Sequence, residues 1–179
     1  MQMQKKINSW LITQVDKGTQ TDYLELDSGE FLSNEIIIEV KNSALNYKDA
    51  LAITGMAPII RKFPLIPGID FSGVVIQSKN KKFGEGDRVF ATGLGLGELQ
   101  HGGLSSHAST DADILIKLPN KYTHSYIMGL GTAGLTAMLA VLALHENSIK
   151  PDAGKVLVTG SSGAVGGIAT KLLLKLGYE

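Results

Sequence analysis

The sequence predicts an α+β fold that leads into the beginning of an α/β unit. Three observations support this prediction. Between residues 7 and 118, short apolar segments alternate with Gly, Asn, Asp and Pro, a spacing typical of an antiparallel barrel or sandwich. Near residue 120 the composition changes toward long helical patterns. Finally, a glycine-rich loop lies between an apolar, β-branched run and a helical pattern, the order found in nucleotide-binding βα units.

The first part of the chain is predicted to consist mainly of strands. One helix interrupts them, because Asn46–Thr54 has helical spacing and Gly55 provides a stop. Alternating or apolar segments predict seven strands: Ile7–Val15, Asp22–Asp27, Glu35–Ser43, Phe71–Gln77, Asp87–Ala91, Gly103–Ser109 and Ile114–Leu118.

Helices dominate the second part. Thr123 is predicted to cap a short helix, and Thr132 a longer one that ends near Glu146. Almost every face of the longer helix is apolar or small, so we expect it to be buried. Lys155–Thr159 reads as a strand buried on both faces, and Ile168–Leu176 as a helix closed by Gly177.

Composition excludes several classes of function. The 17 Lys and Arg residues balance 17 Asp and Glu residues and do not cluster, so nucleic-acid binding is not expected. The absence of Cys excludes disulfides, thiolate nucleophiles and Cys-ligated zinc. The most apolar run, Gly134–Leu144, is shorter than the roughly 20 residues that span a bilayer. We therefore expect a cytoplasmic protein without a membrane segment.

Glycine is the most informative residue type. The chain holds 21 glycines, where average usage predicts roughly 12 or 13. Gly160, Gly163 and Gly166 follow the predicted strand with the spacing G-x-x-G-x-x-G, and Ser161 and Ser162 add hydroxyl groups. Such a loop lets the backbone approach a pyrophosphate at a helix N-terminus. A plain tight turn is the alternative, but the strand and helix on either side favour a dinucleotide.

Other polar residues are less informative by themselves. Asn46-Tyr47-Lys48-Asp49 lies at a strand-to-helix junction, where Tyr47 is either a proton donor with an orienting partner or a half-buried helix residue. The spacing alone favours the second interpretation. Asp70 is either a turn residue or a buried carboxylate, and turns are the more common explanation. His101 and His107 lack the partners of a zinc site, so we expect at most hydrogen-bonding roles.

Six blocks of the sequence stand out when taken in order: Ser43–Asp49, Phe63–Val75, Gly86–Val89, Gly102–Leu104, Gly131–Ala137 and Val158–Gly166. Together they resemble the zinc-independent medium-chain dehydrogenase/reductases, in the quinone oxidoreductase and acrylyl-CoA reductase branch. The resemblance implies a GroES-like β-barrel catalytic domain over residues 1–124. It also implies the first strand and helices of a Rossmann domain over residues 125–179, with NADP(H) in the cleft between the two.

The resemblance also implies that the site holds no metal. In zinc alcohol dehydrogenases of the superfamily, a Cys ligand occupies a position like that of Asn46. Those zinc enzymes also have a Gly-His-Glu block at the place where this chain has Pro67–Asp70. Both differences remove metal ligands, in agreement with the absence of Cys from this chain.

The same resemblance implies a reductase that transfers hydride from NADPH to a small molecule, either an activated alkene or a quinone. Our hypothesis is that Tyr47 is the proton donor or enolate-stabilising group, because it is a phenol on the cleft-lining helix where no metal is available, with Asn46 and Asp49 beside it. The residues implied to contact NADP(H) are Tyr47, Ala50, Thr132, Thr136, Gly160, Ser161, Ser162, Gly163, Ala164, Val165 and Gly166.

The end of the sequence raises an alternative. Members of this family continue into a second half of the coenzyme domain, and the residue that selects NAD or NADP is expected about 20 residues after the glycine loop. This sequence ends at Glu179, so we expect a truncated chain. The alternative to an enzyme is a non-catalytic fragment that binds a partner. A homodimer formed through exposed sheet edges is also left open.

Overall fold

The computed structural model describes residues 5–179, which form two compact units. The first unit extends to Gly129 and contains all seven strands that the structure describes in this chain. Its first two strands, β1 (Lys6–Val15) and β2 (Gly18–Asp27), pair as an antiparallel hairpin. The predicted strands at both positions are confirmed, and β2 begins four residues earlier than its hydrophobic pattern indicates.

A five-stranded antiparallel sheet forms the rest of this unit, in the order β6-β3-β4-β5-β7. Isolated bridges at Ser9 and Ile12 connect the hairpin to loops near this sheet. The two sheets do not close into a barrel, so that part of the prediction is wrong. The edge strands of the larger sheet have only four and two residues, which is too short to pair around a closed surface. The five strands are β3 (Ile36–Ala44), β4 (Asp70–Ser78), β5 (Arg88–Thr92), β6 (His107–Thr110) and β7 (Ile116–Lys117).

The core of the first unit lies on one face of the larger sheet. Alternate residues of β3, β4 and β5 point into it, including Ile38, Phe71 and Val89, all of which are fully buried. Gly73 allows β3 and β4 to pack closely, because a Cβ atom there would lie 2.1 Å from the Glu39 carbonyl oxygen. The pairing shifts register between Val40 and Asn42, next to this close contact.

Two short helices belong to the first unit. The first, α1 (Ser28–Phe31), begins after Asp27, whose side chain accepts a hydrogen bond from Gly29 N at 2.8 Å. The second, α2 (Tyr47–Thr54), begins after Asn46 and ends at Gly55, which has a left-handed φ of 67°. The helix predicted at this position and its glycine stop are both confirmed.

A third helix, α3 (His124–Glu146), connects the first unit to the second. Thr123 caps it as predicted, since its Oγ1 accepts a hydrogen bond from Tyr126 N at 3.0 Å. Gly131 breaks this element with φ 47° and ψ −151°, so the two helices predicted after Thr123 and Thr132 are confirmed as its two segments. Taken together, the two segments of α3 are long and apolar enough to span a bilayer, with a mean hydropathy of 2.0. The absence of a membrane segment therefore stays a prediction.

The second unit, Leu130–Glu179, packs α3 against α4 (Ala164–Lys175). Val141, Leu173 and Tyr178 form its small core. The longer helix predicted after Thr132 was expected to be buried, and this is wrong, because Leu135, Leu139 and other apolar side chains are exposed. Two helices without a sheet cover only one side of each other, so the remaining apolar faces stay open to solvent.

The strand predicted at Lys155–Thr159 is not formed. Leu157 is 89% exposed, and Val156 N donates a backbone hydrogen bond to Glu179 O at 2.8 Å, outside any sheet. A parallel strand is stable only beside a partner, and Leu130–Glu179 contains no other strand. The apolar composition therefore predicted a strand whose partner this unit does not provide.

Candidate functional site

The polar residues at the N-terminus of α2 form the first part of the candidate site. Asn46 lies between β3 and α2 in an extended conformation, and its backbone N–H donates to the Asp49 carboxylate at 2.8 Å. The other oxygen of Asp49 accepts a hydrogen bond from Ile69 N at 3.0 Å. Asp49 therefore fixes the start of α2 to the chain segment that leads into β4.

Burial determines the electrostatics of Asp49, which is only 1% exposed. Removal from water raises the pKa of this carboxyl group, and the negative charge of Asp70 adds to the rise. The hydrogen bonds from Asn46 and Ile69 act in the opposite direction, because they favour the charged form. The group is thus placed to hold backbone geometry, with both carboxylate oxygens already engaged.

Asp70 is the second buried carboxylate and stands at the start of β4. It is fully buried and accepts a hydrogen bond from Asn46 Nδ2 at 2.9 Å. The turn interpretation favoured by the sequence is therefore wrong, and Asp70 is the buried carboxylate of the alternative. Paired strands place it there, since Asp70 lies opposite Ala44 of β3 and Thr92 of β5.

Tyr47 and Ala50 lie on the outer side of α2. The Tyr47 side chain is 79% exposed and makes no hydrogen bond to the part of the chain that the structure describes. The half-buried position favoured by the spacing is therefore wrong. Its hydroxyl group is available to a ligand, while Asn46 and Asp49 hold the backbone beneath it.

The sequence did not single out Glu98, which joins this site from another loop. Its carboxylate forms an ion pair with Lys48 Nζ of α2 and lies 4.0 Å from Arg61 Nε. The Glu98 carbonyl also accepts a hydrogen bond from Arg61 N at 3.1 Å. The only sequence signal nearby is the glycine-rich context of Gly93, Gly95 and Gly97, which gives no indication of a partner 50 residues away.

Closely packed glycines support the site from behind. A Cβ atom at Gly102 would lie 2.1 Å from Gly68 O, and one at Gly103 would lie 2.4 Å from Phe71 Cβ. Gly68 itself has φ 106° and lies against the Leu104 backbone. These backbone contacts hold the segment before Asp70 firmly, because no side chain separates it from the loop that contains Gly102 and Gly103.

The histidines serve as hydrogen-bonding groups, as predicted. His101 Nδ1 accepts from Ile66 N at 3.2 Å, and His107 Nδ1 lies 3.0 Å from Ser106 Oγ. Burial lowers the pKa of both imidazoles. Within residues 5–179, no three His, Asp or Glu side chains are grouped so that they could hold one metal ion.

The second unit contains the glycine loop. Gly160 has a left-handed φ of 64°, and the loop closes through a hydrogen bond from Gly163 N to Gly160 O at 2.9 Å. Gly166 must lack a side chain, since a Cβ atom there would lie 2.3 Å from Gly160 O. The loop residues Ser161, Ser162, Ala164 and Val165 are all exposed. The twelve-residue helix α4 follows, and its first N–H groups have no acceptor within the helix.

Thr132 and Thr136 lie just after the break in α3. Thr136 Oγ1 donates a hydrogen bond to the Thr132 carbonyl oxygen at 2.7 Å, which fits a threonine inside a helix. Gly131 places Thr132 at the beginning of a new helical segment. Both residues belong to the second unit, together with the glycine loop.

Comparison with known proteins agrees with this geometry. The alcohol dehydrogenase GroES-like domain family matches residues 32–120. The acrylyl-CoA reductase AcuI of Ruegeria pomeroyi is 43% identical over 161 residues, covering 90% of this chain and 49% of its own length. The chain thus spans about half the length of the curated relatives it matches.

Solved structures give the same result. The YhdH oxidoreductase from Salmonella enterica, in complex with NADP, superposes with a TM-score of 0.92 at 45% identity, covering 96% of this chain and 53% of that one. The Bacillus subtilis protein YhfP, with NAD bound, has a TM-score of 0.93 at 38% identity, with 98% and 54% covered. The chain belongs to the medium-chain dehydrogenase/reductase superfamily, in its acrylyl-CoA reductase and quinone oxidoreductase branch, and corresponds to the N-terminal part of these relatives.

Proposed function

We propose that this chain carries the proton-handling and phosphate-binding parts of a zinc-independent, NADPH-dependent reductase. Its substrates are small activated alkenes or quinones, such as acrylyl thioesters and enones. The observation that carries the proposal is the direct hydrogen bond between Asn46 and Asp70, beneath the exposed Tyr47. The resemblance to the superfamily's zinc alcohol dehydrogenases puts metal ligands at the positions of Asn46 and the Pro67–Asp70 block. In this chain Asn46 and Asp70 bind each other there.

The glycine loop fits the pyrophosphate of NADP(H). Gly160, Gly163 and Gly166 keep side chains out of the turn, and the first N–H groups of α4 remain free for phosphate oxygens. The positive end of the α4 dipole adds attraction for the negative charges. Ser161 and Ser162 offer hydroxyl donors at the same turn, and Ala164 and Val165 provide the N–H groups of the first helical turn. Relatives with bound NADP, from Salmonella, and with bound NAD, from Bacillus, support a nicotinamide dinucleotide at this loop.

A bound reduced nicotinamide supplies a hydride to the β-carbon of the alkene or to the quinone ring. The Tyr47 hydroxyl donates a proton to the α-carbon or to the carbonyl oxygen where negative charge develops. Asn46 and Asp49 act as positioning residues, because their hydrogen bonds fix the backbone from which Tyr47 projects. Ala50 lies one residue beyond Asp49 on the exposed side of α2, where its small side chain leaves room for a ligand.

Thr132 and Thr136 of the second unit are also proposed to contact the nicotinamide. The Thr136 hydroxyl group donates to the Thr132 carbonyl oxygen at 2.7 Å, which fixes its rotamer and leaves its oxygen to accept a hydrogen bond from a carboxamide N–H group. We also propose that the protein acts in the cytoplasm on small molecules, without nucleic acid or membrane partners.

The second candidate function is a non-catalytic fragment that binds a partner. The exposed apolar side chains of the second unit favour it, because Leu139 and Leu174 lie open on α3 and α4. A homodimer that covers these faces belongs to the same proposal. This alternative retains the fold of the first unit and predicts no turnover.

The test is NADPH oxidation by the 179-residue chain in the presence of acrylyl-CoA, an enone or a quinone, with and without a metal chelator. We expect alkene-dependent loss of NADPH absorbance that the chelator leaves unchanged. Turnover that requires added zinc contradicts the zinc-independent assignment. NADPH binding without turnover of any acceptor favours the partner-binding fragment.

A further inference from the structure

The loop Gly93–Gln100 between β5 and His101 has an unusual backbone. Gly93, Gly95 and Gly97 adopt left-handed φ values, which glycine tolerates without cost. Leu94 also has a left-handed φ of 51°. A bulky side chain at such a φ is unfavourable, and residues of this kind concentrate at functional sites.

This loop is nevertheless firmly held. Leu96 is almost completely buried in the core of the first unit. Leu99 N donates to Gly95 O at 2.8 Å, and Gln100 Nε2 donates to Leu94 O at 3.2 Å. A Cβ atom at Gly97 would lie 2.8 Å from Gly68 N, so the loop packs directly on the backbone at Gly68, beneath the candidate site. The left-handed Leu94 is therefore part of an ordered loop.

Two leucine side chains project from this loop into solvent. Leu94 is 68% exposed and Leu99 is 62% exposed. Neither side chain adds to the buried core, and a glycine at position 94 would adopt the same φ more easily. The fold alone therefore gives no reason for an apolar residue at either position.

The loop is attached to the candidate site at both ends. At its start, Gly93 N donates a hydrogen bond to Ile69 O at 2.8 Å, next to the buried Asp70. Near its end, Glu98 forms the ion pair with Lys48, the residue after Tyr47. Leu94 and Leu99 thus belong to a rigid loop that is bonded to both sides of the Asn46–Asp70 pair.

From these contacts we infer that Gly93–Gln100 is a specificity-determining loop, in which Leu94 and Leu99 bind the apolar carbon chain of the acceptor substrate. The inference rests on the proposed reductase function. Exposed apolar side chains on a loop that is bonded to Ile69 and Lys48 favour substrates whose reacting carbonyl group carries an alkyl or alkenyl chain. Each methylene group that the two leucines cover contributes to affinity by leaving water.

The test measures binding of straight-chain 2-alkanones, from butanone to octanone, to the isotope-labelled chain by NMR titration. These ketones are unreactive analogues of a reduced enone. For the wild type we expect affinity to rise by up to about fourfold with each added methylene group. Leu94→Ala and Leu99→Ala are each expected to reduce that rise to less than about twofold. Leu94→Gly is expected to fold normally and to show the same reduction as Leu94→Ala.

Leu24→Ala is the matched control, because Leu24 is an exposed leucine on β2 of the same unit. An unchanged dependence on chain length in both loop variants overturns the inference. So does an equal reduction in the Leu24 variant, or no ketone binding by the wild type. NADPH titration of the same samples separates the two proposals. Loss of NADPH binding with normal ketone binding contradicts the reductase function alone, and the opposite pattern contradicts the loop assignment alone.

Discussion

Replacing Asp49 with alanine tests whether this carboxylate anchors α2 in the first unit. The substitution removes the acceptor of two backbone N–H groups, those of Asn46 and Ile69. A buried donor left without a partner costs about 1–3 kcal/mol, so the two together cost about 2–6 kcal/mol. Because Asn46 is half-exposed and water can reach its N–H group, we expect a loss of about 3 kcal/mol in the free energy of unfolding.

The variant Asp49→Asn adds a pH dependence to the same prediction. Burial raises the pKa of Asp49 above its ordinary value of 3.8 in the folded protein. The stability contributed by this group is fully present below that value and is lost as the pH rises through the folded-state pKa. Asparagine does not titrate, so the stability of Asp49→Asn relative to wild type is expected to increase between pH values below 3.8 and neutrality.

Urea unfolding followed by circular dichroism at several pH values measures both effects. Asp113→Ala is the control, because Asp113 is an exposed carboxylate of the same unit and its loss is expected to change stability by less than about 0.5 kcal/mol. An Asp49→Ala variant as stable as this control would refute the anchoring role. An Asp49→Asn variant whose stability followed the wild type at every pH would refute the electrostatic argument.

Three further predictions concern single contacts. Gly73→Ala is expected to lower stability by about 1–3 kcal/mol in thermal unfolding, because its Cβ would lie 2.1 Å from Glu39 O, whereas Gly84→Ala has free space and should be neutral. Glu98→Gln breaks the ion pair with Lys48, and since the Lys48 side chain is 42% exposed, chemical denaturation should show a loss below about 1 kcal/mol. Tyr47→Phe should leave the unfolding transition unchanged while reducing enone turnover at least about tenfold, and unchanged turnover would contradict its role as proton donor.

The strand pattern and the short helix at Tyr47–Thr54 could be predicted from the sequence, because local signals determine them. Alternating side chains indicate strands, and Gly55 ends α2 with a left-handed φ that glycine adopts easily. Closure of the sheet could not be predicted, since it depends on the short lengths of β6 and β7 in three dimensions. The prediction of a strand at Lys155–Thr159 was wrong for a related reason. An apolar run forms a strand only beside another strand, and its local sequence does not show whether one is present.

The candidate site was predictable only in part. Asn46, Tyr47 and Asp49 are adjacent in sequence, so a motif could indicate them together. Asp70 looked like a turn residue because its burial depends on the strands beside it. Glu98 gave no signal, since its partner Lys48 is 50 residues away. Contacts between distant segments therefore account for what the sequence missed.

The central claim is that the glycine loop and the α2 site belong to an NADPH-dependent reductase. The most direct measurement is a titration of NADPH into the 179-residue chain, followed by nicotinamide fluorescence. The account predicts saturable binding in the micromolar range. It also predicts binding weakened at least about tenfold in Gly166→Ala, whose Cβ would lie 2.3 Å from Gly160 O, and unchanged in Gly129→Ala, which has free space. No NADPH binding by the wild type, or equal binding by Gly166→Ala, would contradict it.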